Sequence, residues 1–322
     1  MPSCNVCPFN CNVDRIKNFG VCGLPNKILV SHVQQHFFEE PFISGAGGSG
    51  AIFFTGCNGR CVFCQNYKIS QPEYWRIGGL DDERKTATDL ELPKISNLVG
   101  FFKHSNSVCE LELLKICHEL IAKKVNNINF VSPTPYTELF CDFLRKYKKD
   151  IPVPIIWNSN GYEKSESIEK LIGLIDVYLP DFKYFDDKIA VRYSMMPNYF
   201  KYASGAISEM FKQVGYPSFS KNGMIKKGLV IRHLVLPGNL EDSKKILSWI
   251  FKTFGKKAYV SLMSQYYPTY KASKSNSKFT EINRTLSADE HKEITDYFIN
   301  LGFEDGLIQD LESADPAFTP DF

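Results

Sequence analysis

The sequence predicts an α/β protein, a partial (β/α)6 barrel preceded by a small cysteine-rich segment. Three observations lead there. Six short apolar runs, at 51–55, 127–131, 154–157, 175–179, 229–236 and 258–263, alternate with stretches of helical period, the pattern of parallel strands joined by right-handed crossovers. Eight such units need about 250 residues and six roughly 190, and the chain from 49 to 300, with the polar stretch 72–108 set aside, suits six. Finally, seven of the ten cysteines fall before residue 65 in short-spaced groups, where a small segment would need something other than packing to fix it.

Composition narrows the class. At 322 residues, 43% hydrophobic and 23% charged, the chain is that of a globular protein rather than a disordered or fibrous one. Lys and Arg number 38 against 36 Asp and Glu, a net charge of +2. That lacks the basic excess used to hold a phosphate backbone, so no nucleic-acid partner is expected. No apolar run approaches the ~18 residues of a membrane span, and 1–19 has no apolar stretch of signal-peptide type, so a cytoplasmic protein without membrane contact is expected. In that compartment clustered cysteines point to metal or cluster ligation rather than disulfides.

The elements follow in order. Residues 1–43 form the first unit, with Cys4, Cys7, Cys11 and Cys22 among Pro8, Gly20, Gly23 and Pro25. Their CxxCxxxC spacing with a later fourth thiol suits either structural zinc or a second iron–sulfur cluster. The barrel is expected over 44–305, entered through the glycine-rich run 44–50. Its first strand, 51–55, leads straight into a cysteine loop. The stretch 72–108, with Gly78, Gly79, the charged run 81–85 and Pro93, has no sustained period and reads as an insertion or flap. Helices are expected at 109–124, 136–149, 168–174, 190–214 and 242–254. Ser287 and Glu290 form a capping box for a last helix, 291–300. Residues 306–322 are left as a C-terminal tail.

The loop Gly56-Cys57-Asn-Gly-Arg-Cys61-Val-Phe-Cys64 carries the chemistry. A closed zinc or iron–sulfur site takes four protein ligands, so three local thiols suggest a [4Fe–4S] cluster with one iron left open. Soft thiolates favour iron–sulfur or zinc over hard cations, and Phe63 would shield a cluster from water.

This loop resembles the signature of the radical S-adenosylmethionine (radical SAM) superfamily. The strings EEPFISGAGGSGAIFFTGCNGRCVFCQNYKISQ, NINFVSPTP, WNSNGYE, DVYLPDFKY, SEMFKQVG, RHLVLPG and SLMSQYYP extend the likeness over nearly the whole chain, toward a branch related to pyruvate formate-lyase activating enzyme. The resemblance implies a [4Fe–4S] cluster on Cys57, Cys61 and Cys64. It implies S-adenosyl-L-methionine as cofactor, and a 5′-deoxyadenosyl radical that abstracts hydrogen from a substrate. A reduced flavodoxin- or ferredoxin-type protein would donate the electron, and a protein glycine, as in a glycyl radical enzyme, would be the target. A small molecule or peptide is the alternative substrate, and a zinc-thiolate adaptor without turnover the alternative class.

Other family positions carry over residue by residue. Where the superfamily has a Gly-Gly-Glu-like segment, this chain has Ser132-Pro133-Thr134, so Ser132 and Thr134 are candidate cofactor contacts without the glutamate. Asn158-Ser159-Asn160-Gly161 resembles the Asp-Thr-Asn-Gly of the activating enzymes, with no charge at Asn158 to hold a cation. Asp181 and Lys183 resemble their pocket-lining Asp-x-Lys pair. Gln265 and Tyr266 end the sixth strand at the same mouth.

Strand alternation sends one of Arg232 and His233 inward, and an inward His233 is a candidate catalytic group. Tyr266, Tyr267 and Tyr270 are candidates to stack on adenine or to pack. His32 and His36 read as strand or loop residues. Cys109, Cys117 and Cys141 read as small hydrophobes of helical faces.

Overall fold

In the computed structural model, residues 3–72 and 106–316 are described; the body of the expected insertion, 73–105, lies outside them. Among the described residues the strands form one sheet. In chain order they are β1 (Ile28–His36), β2 (Ser49–Phe54), β3 (Asn106–Val108), β4 (Ile128–Val131), β5 (Ile155–Ser159), β6 (Val177–Pro180), β7 (Ser218–Phe219), β8 (Ile225–Leu234), β9 (Tyr259–Met263) and β10 (Gly306–Ile308). The spatial order is β10-β9-β8-β6-β5-β4-β2-β1-β3, with β7 paired to β8.

The six expected strands are β2, β4, β5, β6, β8 and β9, and each pairs in parallel with its neighbour on this path. Their apolar runs made them legible because a parallel sheet is covered on both faces. Three additions frame them. β1 pairs antiparallel with β2, β3 antiparallel with β1, and β10 extends the parallel set beyond β9. The sheet is an open partial barrel: β10 and β3 are its two ends.

Between the strands run α1 (Pro41–Ser44), α2 (Tyr67–Ser70), α3 (Glu110–Ala122), α4 (Thr137–Tyr147), α5 (Ser165–Glu169), α6 (Asp187–Ser194), α7 (Tyr199–Val214), α8 (Leu240–Phe254) and α9 (Ala288–Leu301). Alternation along each strand divides its side chains. Ile52, Phe54, Phe130, Trp157, Tyr178 and Ile231 join the helices in the main apolar core. Ala51, Phe53 and Val131 on one part of the opposite face, and Ile156, Leu179 and Val230 on another, form smaller clusters.

Several expectations need correction. The helix expected over 190–214 is two, α6 and α7, because Met195 and Asn198 are left-handed (φ 53° and 55°) and Pro197 between them cannot continue a helix. The helix expected at 168–174 is a short α5 followed by turns. Cys117 and Cys141 are buried as expected, but Cys109 is exposed: it precedes α3, and its N–H donates to Glu112 Oε2 at 2.8 Å, so it caps the helix instead of packing under it. Ser287 and Glu290 do form their capping box.

No helix among the described residues is long and apolar enough to cross a membrane.

Candidate active site

Cys57, Cys61 and Cys64 follow β2 and line a single cavity of about 250 Å³. Neighbouring elements fix the loop from several sides. The Arg60 and Val62 N–H groups donate to Ser194 O (2.9 Å) and Tyr193 O (2.8 Å). Asn58 Nδ2 donates to Tyr162 O at 2.7 Å, and Asn160 Nδ2 reaches Asn58 Oδ1 at 2.8 Å. Gly56 is left-handed (φ 73°), and a Cβ there would stand 2.8 Å from Leu24, so glycine lets the cysteine-rich segment close against the loop.

Each sulfur meets a polar partner. Cys57 Sγ accepts from Asn160 Nδ2 (3.2 Å) and the Gly59 N–H (3.3 Å). Ser194 Oγ donates to Cys61 Sγ at 3.0 Å, and Cys64 Sγ shares a hydrogen bond with Ser70 Oγ at 3.2 Å. Burial pushes all three thiols up, Cys64 to about 12, with the neighbouring cysteines adding to the effect at Cys57 and Cys64. Thiolate therefore requires strong positive charge, which bound iron supplies: a coordinating thiol is deprotonated outright. Among the described residues no three His, Cys, Asp or Glu side chains converge to hold one ion. A cubane does not ask for convergence, since each thiolate takes its own iron. Three partnered thiols around one cavity fit such a cluster.

The same cavity is lined by Ser132, Asn158, Ser159, Asn160, Asp181, Lys183 and Gln265. Lys183 Nζ donates to Asp181 Oδ2 at 2.5 Å. Burial would lower the Lys183 ammonium, but Asp181, with Cys61, outweighs it and holds it above its ordinary range. Asp181 reaches this position because Gly161 (φ 73°) lets the loop after β5 approach β6; a Cβ on Gly161 would stand 2.2 Å from Asp181 O. Gln265 Oε1 accepts from Gln309 Nε2 at 2.9 Å.

Two expected site residues lie elsewhere. Thr134 is absent from the cavity wall. Its hydroxyl donates to Glu163 Oε1 at 2.9 Å, and that carboxylate also accepts from Trp157 Nε1 (3.0 Å) and Ser159 Oγ (2.5 Å). The turn after β4 thus carries Thr134 past the mouth. His233 likewise does not line the cavity. Strand alternation gives the inward position to Arg232 and puts His233 with Ile231, toward the helices. There its Nδ1 pairs with Phe182 O at 2.7 Å, and burial pulls it down to about 4, so it is neutral near pH 7.

Arg232 anchors a group that local sequence does not reveal. Its Nε donates to Glu40 Oε1 at 2.8 Å and its terminal nitrogen to both Glu40 Oε2 (2.5 Å) and Glu39 Oε2. Burial would raise the Glu40 carboxyl, but the guanidinium prevails and holds it below its ordinary range. All three residues line the cavity, as do Gln309, Ser313 and Asp315 from the stretch expected to be a tail. The one sequence signal for the carboxylates is Glu39-Glu40 beside Pro41, a paired charge with no cation nearby in sequence.

The tyrosines divide. Tyr266 and Tyr267 both line the cavity, Tyr266 with its hydroxyl turned away to donate to Ile282 O at 2.6 Å, and Tyr270 stacks on Tyr67 with centroids 5.0 Å apart. On β1, Gln34 sits between His32 and His36 and bonds to both rings (3.1 and 2.9 Å). Cys4, Cys7, Cys11 and Cys22 are not part of this cavity wall.

The model of the Radical SAM superfamily matches residues 51–250, a span from β2 into α8 that contains the three-cysteine loop. The chain belongs to the radical SAM superfamily. Its members use a [4Fe–4S] cluster and S-adenosylmethionine for radical catalysis, and membership brings that coarse chemistry to this chain. Among curated proteins, "Uncharacterized protein MJ0674" of Methanocaldococcus jannaschii is 32% identical over 294 residues, covering 89% of this chain and 72% of that protein.

Among solved structures, a domain of pyruvate-formate lyase-activating enzyme from Bacteroides vulgatus has a TM-score of 0.40 at 11% identity, covering 57% of this chain and 98% of that one. SuiB of Streptococcus suis bound to S-adenosylmethionine has a TM-score of 0.47 at 13% identity, covering 82% of this radical SAM chain and 51% of that one. The chain thus spans about half the length of SuiB.

Proposed function

We propose that the protein is a cytoplasmic radical SAM enzyme that removes a hydrogen atom from a polypeptide, with a glycine position as target. One observation carries the catalytic reading: three half-buried thiols, the Asp181–Lys183 pair and the polar ends of β4, β5 and β9 open on a single cavity. Cys57, Cys61 and Cys64 would hold the cluster. Bound there, a [4Fe–4S] cluster would supply the one-electron chemistry on which radical use of S-adenosylmethionine depends.

The chain's own residues bind and orient. Asp181 and Lys183 offer opposite charges to the amino and carboxylate groups of the methionine moiety. Ser132, Asn158, Asn160 and Gln265 offer neutral hydrogen-bonding groups along the strand ends for the nucleoside. Ser159 lines the wall with its hydroxyl already given to Glu163. Arg232 closes another part of the cavity as one cation between two carboxylates, so that neither Glu39 nor Glu40 stands without a partner there.

A polypeptide substrate is supported by the open sheet, which leaves β10 and β3 unjoined, and by the resemblance to the activating enzymes. The small cavity favours a second reading, a small molecule or short peptide. A reduced flavodoxin- or ferredoxin-type protein would supply the electron, and the four N-terminal thiols would hold a second metal centre.

Anoxic reconstitution with iron and sulfide, followed by dithionite and S-adenosylmethionine, tests the reading. The expected result is a brown protein that forms 5′-deoxyadenosine; a colourless zinc protein that forms none would overturn it. Deuterium carried into deoxyadenosine from a labelled polypeptide supports the substrate class. Label arriving only from small molecules would favour the second reading.

A further inference from the structure

The N-terminal segment is too small for its own core, yet its backbone is bent sharply toward its cysteines. Asn10 and Asn12 are both left-handed (φ 48° and 52°), as is Gly23 (φ 75°) next to Cys22. Such conformations are uncommon outside glycine and persist where the surroundings demand them. Cys4 closes the turn with its N–H on Val13 O (2.7 Å) and its carbonyl accepting from Asn12 N (3.0 Å), and Asn10 N donates to Cys7 O at 3.1 Å.

The bends gather four sulfurs. Gly20 faces two of them: a Cβ there would lie 3.3 Å from Cys11 Sγ and 3.7 Å from Cys22 Sγ. The Val21 N–H donates to Cys11 Sγ at 3.3 Å. Cys7 lies close enough to Cys22, Cys11 and Cys4 to feel each of them electrostatically, and Cys22 feels Arg15 as well as Cys4 and Cys11. All four are free thiols. Cys117 and Cys141, by contrast, are buried in helical faces among apolar neighbours.

We propose that Cys4, Cys7, Cys11 and Cys22 bind a [4Fe–4S] cluster with all four irons held by the protein. A single zinc would need four sulfurs about 2.3 Å from one point, and no three candidate ligands among the described residues converge in that way. A cubane spreads its thiolates over four irons, the same demand that the three-cysteine loop meets. The two-then-three spacing at 4, 7 and 11 reverses the three-then-two spacing at 57, 61 and 64. The fourth thiol is the functional difference: it closes the cluster, which then has no vacant iron for S-adenosylmethionine or substrate. Arg60 joins the two regions, donating from one nitrogen to Cys57 O (2.7 Å) and from the other to Val21 O.

The proposal rests on the reading of the barrel cluster only through the total iron count, and the variants separate the two. Full-length protein is reconstituted anoxically and its iron, acid-labile sulfide and zinc are measured, with about eight irons per chain expected. A Cys4→Ser/Cys7→Ser/Cys11→Ser variant should keep about four irons and a reduced electron paramagnetic resonance signal that shifts when S-adenosylmethionine is added. A Cys57→Ala/Cys61→Ala/Cys64→Ala variant should keep about four irons whose signal ignores S-adenosylmethionine. Four irons with one zinc in the wild type would overturn the proposal, as would a barrel-loop variant without iron or with a signal that shifts. The wild-type count decides even if either variant fails to fold.

Discussion

The two cysteine sets have reversed spacing, yet they are held in opposite ways. At 57, 61 and 64 the sulfurs hang from a loop pinned by other elements: Ser194, Tyr193, Tyr162 and Asn160 hold its backbone or its thiols. At 4, 7, 11 and 22 the chain is held mainly by its own turns, and it meets the barrel through a few contacts, such as Phe9 edge-on to Tyr162 and Ser167 Oγ on Val6 O. In the first region the fold makes the site. In the second, the metal proposed above would have to make the fold. Stability and activity should therefore separate differently in each.

The largest effect sharpens this contrast. Cys61→Ala should lower deoxyadenosine formation by about 10³-fold or more while leaving the barrel's thermal midpoint nearly unchanged; a large drop in that midpoint would break the comparison. Removing metal with a chelator should act the other way on the N-terminal segment. Limited proteolysis should then cut within 3–25 while the barrel core stays intact, because structural metal contributes on the order of 10 kcal/mol to such segments.

Next in size is a charge that belongs to the fold as much as to the cavity. Arg232→Met strands Glu39 and Glu40 and should cost about 3–5 kcal/mol in denaturant unfolding. Glu40 is held below its ordinary value of 4.5. Its wild-type contribution is thus present above that value and lost as pH falls through the lower folded one. The gap between wild type and variant should narrow on acidification.

A smaller effect is expected at His233. With the ring held near 4 against an ordinary 6.5, the unfolded chain takes up the proton first, so wild-type stability falls as pH drops from 6.5 toward 4. His233→Gln should remove that slope and cost about 1–2 kcal/mol, with product formation at neutral pH changed only slightly. A bell-shaped activity profile lost in the variant would restore His233 to the chemistry. The smallest effect is expected at Cys109→Ser, within about 0.5 kcal/mol by thermal melting, since that thiol is exposed at the start of α3.

The parallel strands were legible because burial on both faces leaves continuous apolar runs, and the three-cysteine loop because its spacing is local. What escaped is non-local or short. The Arg232–Glu40 pair spans 192 positions, and no local pattern encodes it. β10 has three residues, too few for a period, yet it brings Gln309 to the cavity. Thr134 and His233 failed for geometric reasons: a turn carried the first past the mouth, and a period of two placed the second behind the sheet. The break at 195–198 did carry a signal in Pro197, which a long helical period obscured.

Arg15 gives the segment a place in time. Its buried guanidinium donates to Leu24 O (3.2 Å) and Pro25 O (2.7 Å) within its own region, and to Pro135 O (2.5 Å) just after β4. The last of these acceptors is made 120 residues after the arginine is added to the chain. The segment that carries Arg15 therefore cannot close this contact until the turn after β4 exists, and a metal bound by its cysteines as proposed above would have that interval in which to load.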